Sequence, residues 1–248
     1  MKSDSSIQAI EARASETIFP ELQEHLNYVN DAYILAFKVQ EAMGDKRITD
    51  ISNEARAQFM ILMRITDFLR CIQLLTVKGY PEQACTLAAS VFELAHTAAM
   101  FCHSPGKAEA WLEAESVKQQ MPRSVTGGTW KDLVKANCEC LGDGLRAESE
   151  YQVYQQLCWM KHSLPKMQDM RVEEDTVKLV VGPHTDERAL SHAWFALEHS
   201  GMLTELVISL LIPDFGTEET KGKLQVIGEQ RARLFQKAVE RFGRKDPF

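Results

Sequence analysis

The chain has 248 residues, 45% hydrophobic and 25% charged, with a formal net charge of −7 and a pI near 5.6. That is enough apolar material for one large core or two small ones, and the acidic balance argues against a free-standing nucleic-acid binder, which needs a basic face. The N-terminal MKSDSSIQAIEARASETIF is amphipathic, unlike a secretory signal, and the late apolar stretch from Met202 to Ile212 is interrupted by Thr204, Glu205 and Ser209 and is too short to span a bilayer. A soluble, cytoplasmic protein with no membrane partner is expected.

Helical periodicity dominates the chain. Ser3 or Asp4 can cap a first helix through about Thr17. Pro20 is suited to the first turn of a second helix, running to Met43 before Gly44. After a connector at Asp45 to Ile48, a third helix is expected from about Thr49 to Lys78, ended by Gly79. Pro81 opens a fourth through about Phe101, and Lys107 to Gln120 reads as a shorter polar helix. Met121 to Thr129, MPRSVTGGT, is the clearest loop. Helices follow at Trp130 to Leu141 and Glu148 to Ser163, the second stopped by Pro165. Thr176 to Val181, TVKLVV, is the one plausible strand, short and without an obvious partner. A long helix from Thr185 to Ile212, capped by Thr185 or Asp186 and broken by Pro213 and Gly216, precedes a last amphipathic helix from Thr217 to about Phe242. No repeat or linker divides two cores. The expected architecture is a single all-α domain over 1–248, a multi-helix bundle around a buried central helix pair, with at most one short hairpin.

The run Phe59 to Val77, FMILMRITDFLRCIQLLTV, is apolar on nearly every side yet carries Arg64, Asp67 and Arg70. A helix apolar all round is normally buried, and buried charges need partners, so a polar network inside the core is expected here. Asp67 lies three residues from each arginine, which allows all three to meet along one stripe. Arginine forks suit carboxylate and phosphate, so the stripe reads as a cationic ligand pocket or as an ion-pair network tying helices together, the commoner use. The fourth helix carries Glu93, His96, Met100 and His103 on one face. Glu93-Leu-Ala-His96 is an ExxH sequence, two of which build a di-iron bundle site. Only one copy is present, so no metal site is assigned, and Glu93 is expected to pair with Arg64 or Arg70.

His192 and His199 stand two turns apart, with Phe195 and Met202 between and beyond; they read as one wall of a cavity or, the commoner case, as partly buried imidazoles on an ordinary amphipathic helix. Arg231 to Lys245 is the one basic patch, with six cations against Glu240; a solvated face balancing an acidic body is its plainer explanation. The six cysteines show no CxxC pair, and Cys71, Cys85, Cys102 and Cys158 read as small hydrophobes in helices. GxSxG, Walker and dinucleotide signatures are missing. No cofactor is implied.

Two stretches resemble a bacterial domain-of-unknown-function family. RITDFLRCIQLLTVKGYPEQACTLAASVFELAH resembles its pattern of Arg and Asp on one helix, a glycine-containing turn, then a small-residue helix ending in glutamate. Tyr151 to Ser163, YQVYQQLCWMKHS, resembles its later helix with a tyrosine and a His-Ser pair. Ala89 and Gln155 stand where arginines are frequent in that family. The resemblance implies an all-helical fold and no established activity. A looser likeness to helical ribonucleases of toxin and phage-defence systems rests on an Arg and a His within a turn or two; Arg188 and His192 have that spacing outside the matching stretch.

The leading expectation is a helical protein that binds a small molecule or a protein partner through a core pocket lined by Arg64, Asp67, Arg70, Glu93, His96 and His162. The competing class is an enzyme: a helical ribonuclease using His162 or His192, or a metal-dependent oxidase using Glu93 and His96. Nucleic acid contacted through Arg231 to Lys245, and a homo-oligomer, are the secondary partner expectations.

Overall fold

Ile18, Leu22, Leu26, Val29, Ala32 and Ala36 form a buried stripe that carries the first helix straight through Pro20. In the computed structural model, which describes residues 6–44, 46–104, 106–115, 128–142, 144–161, 170–173, 176–179 and 182–243, helix α1 therefore runs unbroken over Ile7–Gly44. Two helices were expected here. Pro20 removes one backbone hydrogen bond, but the apolar stripe continues on both sides of it, and its packing outweighs the local penalty.

Helix α2 spans Asn53–Val77, with the Ser52 side chain accepting from the Ala55 N–H at 3.1 Å. Gly79 then takes a positive φ of 82°, and its carbonyl accepts from the His184 N–H at 2.8 Å. A Cβ at Gly79 would crowd Pro183 and His184, so both the turn and the close approach require glycine. Pro81 opens α3, Pro81–His103, and α4 is short, Gly106–Leu112. Helix α5, Trp130–Cys140, starts on a reciprocal capping box between Thr129 and Asp132. Helix α6 spans Ala147–Lys161. The strand expected at Thr176 has a partner after all: β1, Met170–Glu173, pairs antiparallel with β2, Thr176–Leu179. Helix α7, Glu187–Phe215, is capped by Asp186, carries Pro213 inside its last turn and ends three residues beyond the expected Ile212. Helix α8, Glu218–Phe242, starts at the Thr217 cap.

The protein is an all-α multi-helix bundle with, among the described residues, this one hairpin. Helices α3 and α7 pack most extensively on each other, and α1, α2 and α8 close around α7 while α5 and α6 cover α3. By length and composition α3 and α7 are each apolar enough to cross a membrane, yet 67% and 83% of the qualifying stretches lie inside the bundle. They are its central pair.

Helix α2 departs from the expected central role. One face is buried, through Ile61, Leu62, Ile65, Leu69 and Ile72, whereas Met60, Met63 and Leu74 are about half exposed and Arg64, Asp67, Arg70 and Cys71 are exposed beside them. Cys102 is exposed too, and Cys85 and Cys138 are the buried cysteines.

Candidate functional site

The densest run of polar groups that the fold buries is on α7. Glu198, His199, Ser200, Thr204 and Glu205 are all withdrawn from solvent, because α1, α2, α3 and α8 leave this helix almost no free face. Ser200 and Thr204 return their hydroxyls to the helix itself, to the carbonyls of Ala196 and Ser200 at 2.6 and 2.7 Å. The glutamates are met from outside. His25 of α1 brings Nε2 to 2.9 Å from Glu198 Oε1, and its ring lies against Trp194 with centroids 4.2 Å apart. Tyr28, one turn further along α1, donates its hydroxyl to Glu205 Oε1 at 2.5 Å. Gly201 makes that reach possible, since a Cβ there would overlap the Tyr28 ring. Arg231 of α8 stands on the other side of Glu205, Nε to Oε1 3.7 Å.

A second polar chain joins α3, α5 and α6. Asn137 Nδ2 donates to the His96 carbonyl at 2.8 Å and lies 3.1 Å from His96 Nδ1, while Asn137 Oδ1 is 2.8 Å from His103 Nε2. With Nδ1 accepting, the His96 proton sits on Nε2, which faces Glu150 Oε1 at 3.5 Å. Glu150 Oε2 in turn is 3.5 Å from Arg146 Nη2.

These two clusters face one another across open space. A cavity of about 340 Å³ has His96, Asn137, Arg146, Glu150, Glu205 and Arg231 as its polar wall, with Met202, Leu203, Leu206 and Leu224 as the apolar part. A neighbouring cavity of about 290 Å³ is bounded by Glu198, His199, Ala232 and Phe235, and shares Arg146, Met202 and Arg231 with the first. Two guanidinium groups thus stand where the cavities meet. Their contacts to Glu150 and Glu205, at 3.5 and 3.7 Å, are longer than the roughly 2.7–2.9 Å of a closed charge-assisted bond.

Burial acts on the two cavity glutamates with different results. It pushes Glu205 up from the ordinary value of 4.5, against the opposing pull of Arg231 and Tyr28. It also acts to raise Glu150, but the contacts with His96 and Arg146 outweigh it and hold that carboxyl below 4.5. Tyr28 is raised well above its usual range, by burial first and then by Glu205, so it remains a neutral donor.

Of the expected site residues that lie among the described residues, only His96 is on the cavity. Arg64 and Asp67 meet on the surface at 3.8 Å, Arg64 also covers the Phe68 ring at 4.5 Å, and Arg70 reaches Gln73 at 3.5 Å. Their long stems let α2 bury one face and keep these charges in water, so no buried network forms there. Glu93 turns toward α6 rather than α2, with Lys161 Nζ at 3.0 Å and the Tyr154 hydroxyl at 3.1 Å. Hence it does not pair with Arg64 or Arg70. His162 lies outside the described residues. His192 pairs with Glu82 at 3.1 Å, near the far end of α7. Among the described residues no group of three His, Cys, Asp or Glu could hold a metal ion. The basic face of α8 is laid against acids: Lys237 meets Glu24 at 2.5 Å, and Arg241 bridges Glu21 and Glu187 at 2.6 and 2.8 Å. Arg244 and Lys245 lie outside the described residues.

Sequence reasoning missed Arg146, Glu150 and Asn137, and set aside Glu198, Glu205 and Arg231. A signal was available on α7. Six of the eight residues in Glu198–Glu205, EHSGMLTE, are polar or glycine and point in every helical direction within an otherwise membrane-grade apolar helix.

No protein-family model, curated protein or solved structure matches this chain.

Proposed function

We propose that this protein binds a small organic molecule in the paired cavities between α3, α5, α6, α7 and α8. The supporting observation is the junction at Arg146, Met202 and Arg231, where Arg231 meets the buried Glu205 only at 3.7 Å, beside open space that both cavities share. Buried polar groups normally close on one another at full hydrogen-bond strength; a pair held open beside a cavity can accept a ligand's polar atoms. Volumes of about 340 and 290 Å³ fall at the lower end of the ~300–1,000 Å³ typical of small-molecule sites, which favours a metabolite-sized ligand.

The enzyme alternatives have less support. The oxidase reading needs Glu93 and His96 on one ion, yet they turn to different partners. The ribonuclease reading through His192 has that ring engaged by Glu82.

Ligand-observed NMR with a library of amino acids, organic acids, amines and nucleosides tests the binding reading. Leu224→Trp, which fills the first cavity from a partly exposed position on α8, serves as the control. Hits that vanish in Leu224→Trp support the reading. An absence of hits, or hits indifferent to that substitution, overturns it.

A further inference from the structure

We propose that two copies of this chain dimerise through the outer stripe of α2, antiparallel and about a two-fold axis. No α2 residue lines either cavity, so this surface is separate from the binding reading. The stripe is the side that α1, α3, α4 and α7 leave open. Met60, Met63 and Leu74 on it are each about half exposed, Asp67 and Arg70 are exposed between them, and Val77 is partly exposed at its end. The spacing of these six alternates three and four residues, which is the seam of a coiled coil. The fully buried Ile65 and Ile72 stand at the heptad position farthest from that seam. One helix thus carries two stripes, and the fold of a single chain covers one of them.

Charge selects the occupant and its direction. In a parallel pair of copies Asp67 would face Asp67 and Arg70 would face Arg70, which repels. In an antiparallel pair the two kinds of seam position face each other. Met63 then meets Leu74, Asp67 meets Arg70 and Met60 meets Val77, each twice, about an axis between Phe68 and Leu69. The stripe is therefore complementary to itself, apolar against apolar and acid against base. A shift of one heptad would set Asp67 against Met63 or Val77, so the two central charges also fix the register. Within one chain neither charge is closed by a short contact: Asp67 meets Arg64 at 3.8 Å and Arg70 meets Gln73 at 3.5 Å. Met60 to Val77 runs about 26 Å along the helix, a seam of about five turns. That is a small interface, which fits a dimer in the micromolar range.

Analytical ultracentrifugation of the full chain across micromolar concentrations tests this. The wild type is expected to pass from monomer to dimer as concentration rises. Met63→Lys and Leu74→Lys each place a charge in the seam and are expected to weaken the dimer about tenfold or more. Both positions are half exposed, so circular dichroism of these variants is expected to match the wild type; if one unfolds, the other decides. Asp67→Arg sets like charges against each other and is expected to weaken the dimer as much. Adding Arg70→Asp to it restores opposite charges in the antiparallel pair and is expected to restore the dimer, whereas a parallel pair gains nothing from that exchange. A wild type that stays monomeric throughout overturns the proposal, as does a dimer indifferent to both lysine variants. Failure of the double exchange to rescue Asp67→Arg overturns the antiparallel register.

Discussion

Two helical stretches of this chain mix charge into apolar sequence and come to opposite ends. Phe59 to Val77 on α2 holds Arg64, Asp67 and Arg70, and all three face water. Glu198 to Glu205 on α7 holds two glutamates and a histidine, and all three are buried. The difference is in the neighbours. Helix α2 also packs on four helices, α1, α3, α4 and α7, but they leave the side with Met60, Met63 and Leu74 open, whereas α1, α2, α3 and α8 surround this stretch of α7. It also lies in the side chains: arginine can carry its charge several ångströms outward on an apolar stem, and glutamate on an enclosed helix cannot. A charge inside an apolar run therefore indicates a buried network only when the helix has no open face.

Four measurements probe this contrast. The largest loss is expected at the buried pair. Glu198→Leu leaves the His25 imidazole without its carboxylate and should cost about 3–5 kcal/mol in urea denaturation. Glu198→Gln keeps an acceptor for Nε2 and should cost less; equal costs would mean that packing rather than the polar contact dominates.

Glycines provide the next step. Gly201→Ala pushes a methyl into the Tyr28 ring and should destabilise by about 1–3 kcal/mol. Gly228→Ala on α8 meets nothing closer than Glu205 Oε2 at 3.7 Å and should stabilise by about 0.5–1 kcal/mol through helix propensity. The same sign of midpoint shift for both would remove the argument for the close approach at Gly201.

The two cavity carboxyls should respond to pH in opposite directions. Glu150 is held below its ordinary 4.5, so the unfolded chain takes up its proton first on acidification. Its contribution is present above 4.5 and is lost as pH falls through the folded value; Glu150→Gln should flatten the acid loss. Glu205 is raised above 4.5, so the folded chain binds that proton more tightly and stability declines as pH rises from 4.5 through the folded value. Glu205→Gln should remove that decline. Parallel stability–pH curves for wild type and both variants would refute the assignment.

The smallest effects belong to the outer charges. Glu93→Gln should cost about 1 kcal/mol, since Glu93 meets Lys161 and Tyr154 at a partly exposed position. Arg64→Ala should move the stability by no more than about 0.5 kcal/mol, because its contact with Asp67 is long and in water. A loss of several kcal/mol at Arg64 would restore a structural role to the α2 stripe.

Most of the helices are legible from local chemistry. Ser52, Thr129, Asp186 and Thr217 each cap a helix start with their own side chains, and Gly79 ends α2 where a positive φ is needed. These are interactions within a few residues, so the sequence carries them directly. Pro20 shows where local chemistry is overridden: the penalty is local, but the stripe that outweighs it packs on distant helices.

The site was legible at His96 and in the His199 and Met202 wall, and not elsewhere, because its other members are brought together across long stretches of chain. His25 and Glu198 are 173 residues apart, and Tyr28 and Glu205 are 177. Residue type and helical spacing settled that the chain is an all-α bundle, since periodicity and caps act within one helix. Packing settled which helix is enclosed, and with it which charges face solvent and which line a cavity, since burial depends on how the neighbours are arranged around a helix.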